Sequence, residues 1–116
     1  MNIQNLKPFD NYLISLDRLY SSYNQTKSEY EQSKWEIEWC GESLQYHIKH
    51  VQGCYDSLKS TFSKFKKIYT KTFNTYPNLT EYEKNIFKEN KSIYNNVKIL
   101  LEEISNYLST NNIYNL

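Results

Sequence analysis

The sequence predicts an all-α protein, an antiparallel three-helix bundle, from three observations. Apolar residues recur at alternating spacings of four and three along much of the 116-residue chain, and this period places them on one face of a helix, which a strand cannot do. Only 2 Gly and 2 Pro are present, too few for the many turns of a β-sandwich. The length fits one domain. We therefore expect residues 1–116 to form a single helical domain with helices near 8–39, 42–74 and 80–110.

Two rows of mainly apolar positions, here called seams, define the first two helices. The spacing of both seams is typical of coiled-coil packing. The first seam becomes less apolar towards its end and comprises Tyr12, Leu16, Leu19, Tyr23, Thr26, Tyr30, Ser33 and Ile37. The second seam is uninterrupted and comprises Leu44, Ile48, Val51, Tyr55, Leu58, Phe62, Phe65 and Tyr69.

A third seam predicts the last helix, with one irregular step near Asn90. Its members are Leu79, Tyr82, Ile86, Asn90, Ile93, Val97, Leu100, Ile104 and Tyr107. The start of this helix is well marked, because Pro77 disfavours helical backbone at the residue before it. Thr80 and Glu83 then have the spacing of a capping box, so we expect a helix to begin there.

The break between the first two helices leaves two architectures open. Gly41 can end a helix in the left-handed conformation, and Ser43 can cap the next one. However, a glycine inside a helix costs only about 1 kcal/mol, and Gly53 already lies in the middle of the second predicted helix. The alternative is one helix over 10–74, about 95 Å long, with the third helix folded back on it. That chain would dimerise to cover its exposed seam.

Composition argues against several functional classes. The chain carries 14 Lys+Arg against 13 Asp+Glu, and Arg18 is its one arginine, so bidentate contacts to phosphate or guanine are scarce. We expect no nucleic-acid partner, and no membrane partner because an 18-residue apolar run is lacking. The N-terminus has no apolar signal region, which favours a cytoplasmic protein. Absence of Ala and abundance of Asn and Tyr are typical of an AT-rich genome.

Metal and thiol chemistry could involve only Cys40, His47, His50 and Cys54, which are all the cysteines and histidines of the chain. Cys40 and Cys54 are 14 residues apart, about 21 Å along a helix. The four residues therefore cannot all reach one zinc ion, and the two thiols cannot pair within the chain. We assign no metal ligands and no cofactor, and keep a metal- or thiol-dependent site at these four residues as an alternative.

The sequence lacks the common catalytic motifs, so we expect no enzymatic activity. The favoured function is a non-catalytic helical interaction protein, such as an adaptor, a small complex subunit or an inhibitor. Exposed Trp and Tyr are favoured interface anchors, and Trp35, Trp39 and Tyr46 lie outside or beside the seams. We expect these three residues to contact a protein partner, either another protein or a second copy. Other apolar residues outside the seams are Leu13, Tyr20 and Phe87.

A short motif suggests another possibility. Trp39-Cys40-Gly41 has the W-x-G form and lies between two predicted helices of about thirty residues each. This region, about 8–76, resembles the W-x-G secreted helical hairpins of type VII export systems. The resemblance implies a helical hairpin and a role in such an export system. The chain departs from that family in its third helix and in lacking a Y-x-x-x-D/E motif after the second.

Overall fold

The computed structural model describes residues 8–37 and 44–112. These residues contain helices and no strand, which confirms the all-α prediction. The α-helices are α1 (Pro8–Trp35), α2 (Leu44–Asn74), α3 (Glu81–Glu89) and α4 (Ser92–Asn112). A short 3₁₀ helix, Tyr76–Asn78, links α2 to α3. None of the helices described is both long and apolar enough to cross a membrane.

Contacts between α1 and α2 show that the chain reverses direction between them. Partner numbers in α2 fall as residue numbers in α1 rise. The contacting pairs are Tyr12 with Phe65, Thr26 with Cys54, and Glu36 with His47. A continuous helix over 10–74 would place Tyr12 and Phe65 about 80 Å apart, whereas their ring centroids are 6.0 Å apart. The long-helix alternative is therefore wrong.

The predicted seams of α1 and α2 face each other and α4 in one core. α4 packs on α2, where the ring of Phe62 lies 5.1 Å from that of Tyr94, and on α1, where Tyr30 lies 5.4 Å from Tyr107. The buried hydrophobic residues are Phe9, Tyr12, Leu16, Leu19, Tyr30, Ile48, Val51, Leu58, Phe62, Phe65, Phe87, Ile93, Val97, Leu100, Ile104 and Leu108. Gly53 lies within α2, as expected of a chain that tolerates a helical glycine.

The predicted helix ends between α1 and α2 fall between the two described ranges. The α-helical part of α1 ends at Trp35, and residues 36–37 follow it as one wider π turn. The predicted ends at 39 and 42, and the predicted Gly41 turn, lie outside the described residues.

The predicted third helix over 80–110 is interrupted at Asn90, which separates α3 from α4. The backbone N–H and the side-chain amide of Asn90 both donate to the carbonyl of Ile86. Its side-chain oxygen accepts a hydrogen bond of 2.9 Å from the hydroxyl of Tyr20 on α1. Asparagine competes for backbone hydrogen bonds in this way and favours helix ends. The irregular step in the seam is therefore a helix break.

The break also shifts the buried face of α3, which corrects the predicted seam. Tyr82, predicted to face inwards, is 75% exposed, whereas Phe87, placed outside the seam, is 3% exposed. Phe87 and Ile93 are six residues apart and therefore share a face only because the helix is interrupted between them. Phe87 is therefore a core residue and is not part of an exposed apolar surface.

The capping box at the start of α3 is confirmed. The Thr80 hydroxyl accepts a hydrogen bond of 3.1 Å from the backbone N–H of Glu83. The Glu83 carboxylate in turn accepts one of 2.9 Å from the backbone N–H of Thr80. These two bonds satisfy N–H groups that have no partner within the helix.

Thr80→Ala should therefore lower the free energy of unfolding by about 1 kcal/mol. Thr70→Ala is a matched control, because the Thr70 hydroxyl bonds only the Lys66 carbonyl inside α2 and alanine favours the helix interior. Urea unfolding of both variants is the measurement. An equal loss at the two positions would contradict the role of the cap.

Candidate functional site

Two of the three predicted partner-binding residues lie at one end of the bundle, close to the chain reversal. Trp35 is 52% exposed and Tyr46 is 65% exposed. Trp35 precedes Glu36 and Tyr46 precedes His47. Glu36 and His47 form a contact between α1 and α2, in which a carboxylate oxygen of Glu36 lies 3.3 Å from Nε2 of His47. We call Trp35 and Tyr46 the aromatic end. Trp39 lies outside the described residues, so its part in this surface stays a prediction.

Some of the buried residues near the aromatic end are polar. His47 is 3% exposed, and the ring of Tyr46 stands edge-on to it at 5.2 Å. Although Nε2 of His47 is close to Glu36, the geometry is not that of a hydrogen bond, and neither ring nitrogen has a hydrogen-bond partner among the described residues. Thr26 and Ser33 are also buried on α1. Buried polar groups stabilise less than apolar ones, so these three residues stabilise the contact of α1 with α2 less than apolar residues would.

The opposite end of the bundle also exposes aromatic side chains. Phe73 is 57% exposed and Tyr82 is 75% exposed, and they flank the turn at Pro77. The core near this end is aromatic, with the ring of Phe87 at 5.3 Å from Tyr12 and 5.1 Å from Tyr69. This second pair of exposed rings therefore lies over a well-packed region and offers a matched comparison for the aromatic end.

A second cluster of functional groups lies along the α1–α2 interface. Glu29 of α1 meets His50 and Cys54 of α2, and one ligand atom from each residue lies within 4.8 Å of the others. The Cys54 thiol donates a hydrogen bond of 2.6 Å to the Glu29 carboxylate. Nε2 of His50 lies 3.3 Å from the same carboxylate. The cluster is partly open to solvent, with 44% of the His50 side chain and 34% of the Glu29 side chain exposed.

The thiol and the carboxylate of this cluster alter each other's acidity. Burial, together with the hydrogen bond to Glu29 and its charge, raises the pKa of Cys54 to about 12. The hydrogen bond from Cys54 lowers the pKa of Glu29 below its ordinary value, and the neighbouring His50 contributes in the same direction. At neutral pH the cluster therefore contains a protonated thiol and an ionised carboxylate.

The structure brings together part of the alternative site considered from the sequence. His50 and Cys54 are adjacent on one helical turn, as their spacing predicts. His47 lies apart from them against Glu36, and Cys40 is outside the described residues. Sequence reasoning missed Glu29, because it sought ligands only among cysteines and histidines. Folding the two predicted helices back about residue 40 pairs position 29 with about position 51, and that register would have found it.

Comparison with protein-family models, curated proteins and solved structures gives no match for this chain. The W-x-G motif at 39–41 lies outside the described residues, so the resemblance to type VII secreted hairpins stays a prediction. Function is therefore inferred from the aromatic end and from the cluster of Glu29, His50 and Cys54.

Proposed function

We propose that the protein is a non-catalytic interaction module that binds another protein through the aromatic end. An adaptor, a small complex subunit and an inhibitor all work in this way. The observation that carries the proposal is the placement of Trp35 and Tyr46, both more than half exposed, beside the same inter-helix contact. Trp and Tyr bury large areas with few rotamers to restrict and are frequent binding hot spots.

The polar core below these residues supports the choice of this end. His47 and Ser33 are buried polar residues near this end, and a partner that covers the end would add apolar burial beside them. The opposite end has an aromatic core in which Phe87 contacts Tyr12 and Tyr69.

The covered seam of α1 favours a different protein as the partner over a second copy. Dimerisation was expected for a long helix whose first seam has no intramolecular cover. In the structure, Tyr12, Leu16 and Leu19 are buried, so that reason for dimerisation is absent. We expect the isolated chain to be a monomer of 14.0 kDa in light scattering.

Affinity capture with three forms of the protein tests the proposal. Immobilised wild type, W35A/Y46A and F73A/Y82A are exposed to extract from the cells that produce the chain, and bound proteins are quantified by mass spectrometry. We expect one protein to be retained by wild type and F73A/Y82A and to be lost with W35A/Y46A.

Other outcomes of the capture contradict the proposal in distinct ways. Loss of the same protein with F73A/Y82A alone would place the binding surface at the other end of the bundle. A mass of twice 14.0 kDa that W35A/Y46A returns to the monomer would identify a second copy as the occupant.

A further inference from the structure

We propose that Glu29, His50 and Cys54 bind one zinc ion that links α1 to α2. They supply a carboxylate oxygen, an imidazole nitrogen and a thiol sulfur from two helices, with the three ligand atoms within 4.8 Å of one another. These are the donor types that zinc takes in proteins. This site is separate from the aromatic end, and zinc binding does not depend on the proposed protein partner.

The distances within the cluster fit a tetrahedral ion after a small adjustment. Bonds of 2.0–2.3 Å place the ligand atoms of such an ion about 3.3–3.8 Å apart. The separation of 3.3 Å between His50 and Glu29 already meets this requirement. The 2.6 Å between Cys54 and Glu29 must lengthen by about 1 Å. The side chain of Glu29 is 34% exposed, and a change of its rotamer would supply that adjustment.

Charge and protons balance on binding. The Cys54 thiol releases its proton to solvent as the sulfur–zinc bond forms, because only the thiolate is a ligand. The ionised carboxylate of Glu29 binds without losing a proton, and His50 binds through a ring nitrogen that carries no proton. The two positive charges of the ion then meet two anionic ligands, which leaves the site neutral.

His50 and Cys54 line a surface depression, from which a water molecule could reach the ion as its fourth ligand. Gln25, Lys49 and Ser57 are among the residues that line this depression. Gly53 also borders it, and a side-chain carbon at that position would meet nothing within 4 Å.

The donor set favours zinc over the abundant hard cations. Magnesium and calcium prefer sites made entirely of oxygen, whereas thiolate and imidazole select softer metals such as zinc. An ion at this point would join α1 to α2 where Thr26 and Ser33 make their interface polar. Its effect is to strengthen the contact between these two helices.

Titration of tag-free protein, first stripped with a chelator, tests the site. We expect one equivalent of Zn²⁺ to bind, and Co²⁺ as a spectroscopic substitute to give the near-ultraviolet charge-transfer absorption of a thiolate ligand. Free Zn²⁺ at about a hundredfold above its Kd should raise the melting temperature by on the order of 10 °C. Binding well below one equivalent would overturn the proposal.

Ligand variants with matched controls identify the residues. E29Q, H50Q and C54S should each weaken Zn²⁺ binding at least tenfold and abolish the rise in melting temperature. E31Q removes an exposed carboxylate two positions along α1, and C40S removes the other thiol, so both should bind as wild type does. Circular dichroism checks folding, and E29Q and H50Q decide the question if C54S does not fold. Retention of Zn²⁺ by E29Q and H50Q, or loss with C40S, would overturn the assignment.

Discussion

Replacing Phe65 with alanine should lower the free energy of unfolding by about 3–5 kcal/mol, the usual cost of removing a buried phenylalanine ring. Phe65 is 1% exposed. Its ring lies 6.0 Å from that of Tyr12, 5.8 Å from Tyr69 and 6.5 Å from Tyr94. The substitution therefore leaves a cavity where all three long helices meet. Because a domain of this size is stable by only about 5–15 kcal/mol, this one change removes much of its stability.

Phe73→Ala is the matched control, since it deletes the same ring from α2 at a position that is 57% exposed. We expect it to cost less than about 1 kcal/mol. Urea unfolding followed by circular dichroism measures both variants. Similar losses at the two positions would mean that Phe65 does not lie in the core described above.

Raising the pH above 10 should destabilise the protein strongly through two buried tyrosines. Tyr12 is fully buried and Tyr30 is 3% exposed. Burial raises the pKa of each from 10.0 to about 12, with the charge of Glu103 adding to the effect at Tyr30. A raised pKa means that the folded state holds the phenolic proton more tightly than the unfolded state does. This stabilisation is complete below pH 10 and is lost as the pH rises towards 12.

The loss amounts to roughly 1 kcal/mol per tyrosine by pH 11 and roughly 2 kcal/mol by pH 12. Urea unfolding between pH 8 and pH 11 measures it. Tyr12→Phe should remove the contribution of Tyr12 and leave those of Tyr30 and of Cys54, whose pKa is also raised to about 12, because the substituted ring has no proton to lose. Tyr82→Phe removes an exposed phenol and should leave the dependence unchanged. Equal slopes for wild type and Tyr12→Phe would contradict the burial of this hydroxyl.

The helices were predictable because each seam keeps one period over many residues. Tyr12, Leu19, Val51, Leu58 and Ile104 all occupy predicted seam positions and are buried. The capping box was also predictable from the sequence, because Thr80 and Glu83 are three residues apart. Local signals of this kind depend only on the helix itself.

The break at Asn90 was not predicted as a helix end, because its cause is partly tertiary. The hydrogen bond from Tyr20 joins residues that are distant in sequence, and no local pattern shows it. The burial of Phe87 follows from that break. A single seam drawn through α3 and α4 therefore gave the wrong inward face at Tyr82.

The two candidate sites differ in how much of each could be predicted from the sequence. Trp35 and Tyr46 were selected because they lie outside the seams, and their exposure agrees with that reasoning. The cluster at Glu29 required the register between α1 and α2, since its carboxylate comes from the helix opposite His50 and Cys54. Spacing within one helix could supply only two of its three members.

The binding proposal is tested most directly by measuring the affinity of the captured protein for wild type, W35A/Y46A and F73A/Y82A, together with their melting temperatures. Hot-spot residues cost at least about 2 kcal/mol on truncation, which corresponds to about a thirtyfold loss of affinity. We predict that W35A/Y46A binds at least thirtyfold more weakly while its melting temperature stays within about 3 °C of wild type, and that F73A/Y82A keeps wild-type affinity. Unchanged affinity in W35A/Y46A, or a loss explained by an equally large fall in its melting temperature, would contradict the account.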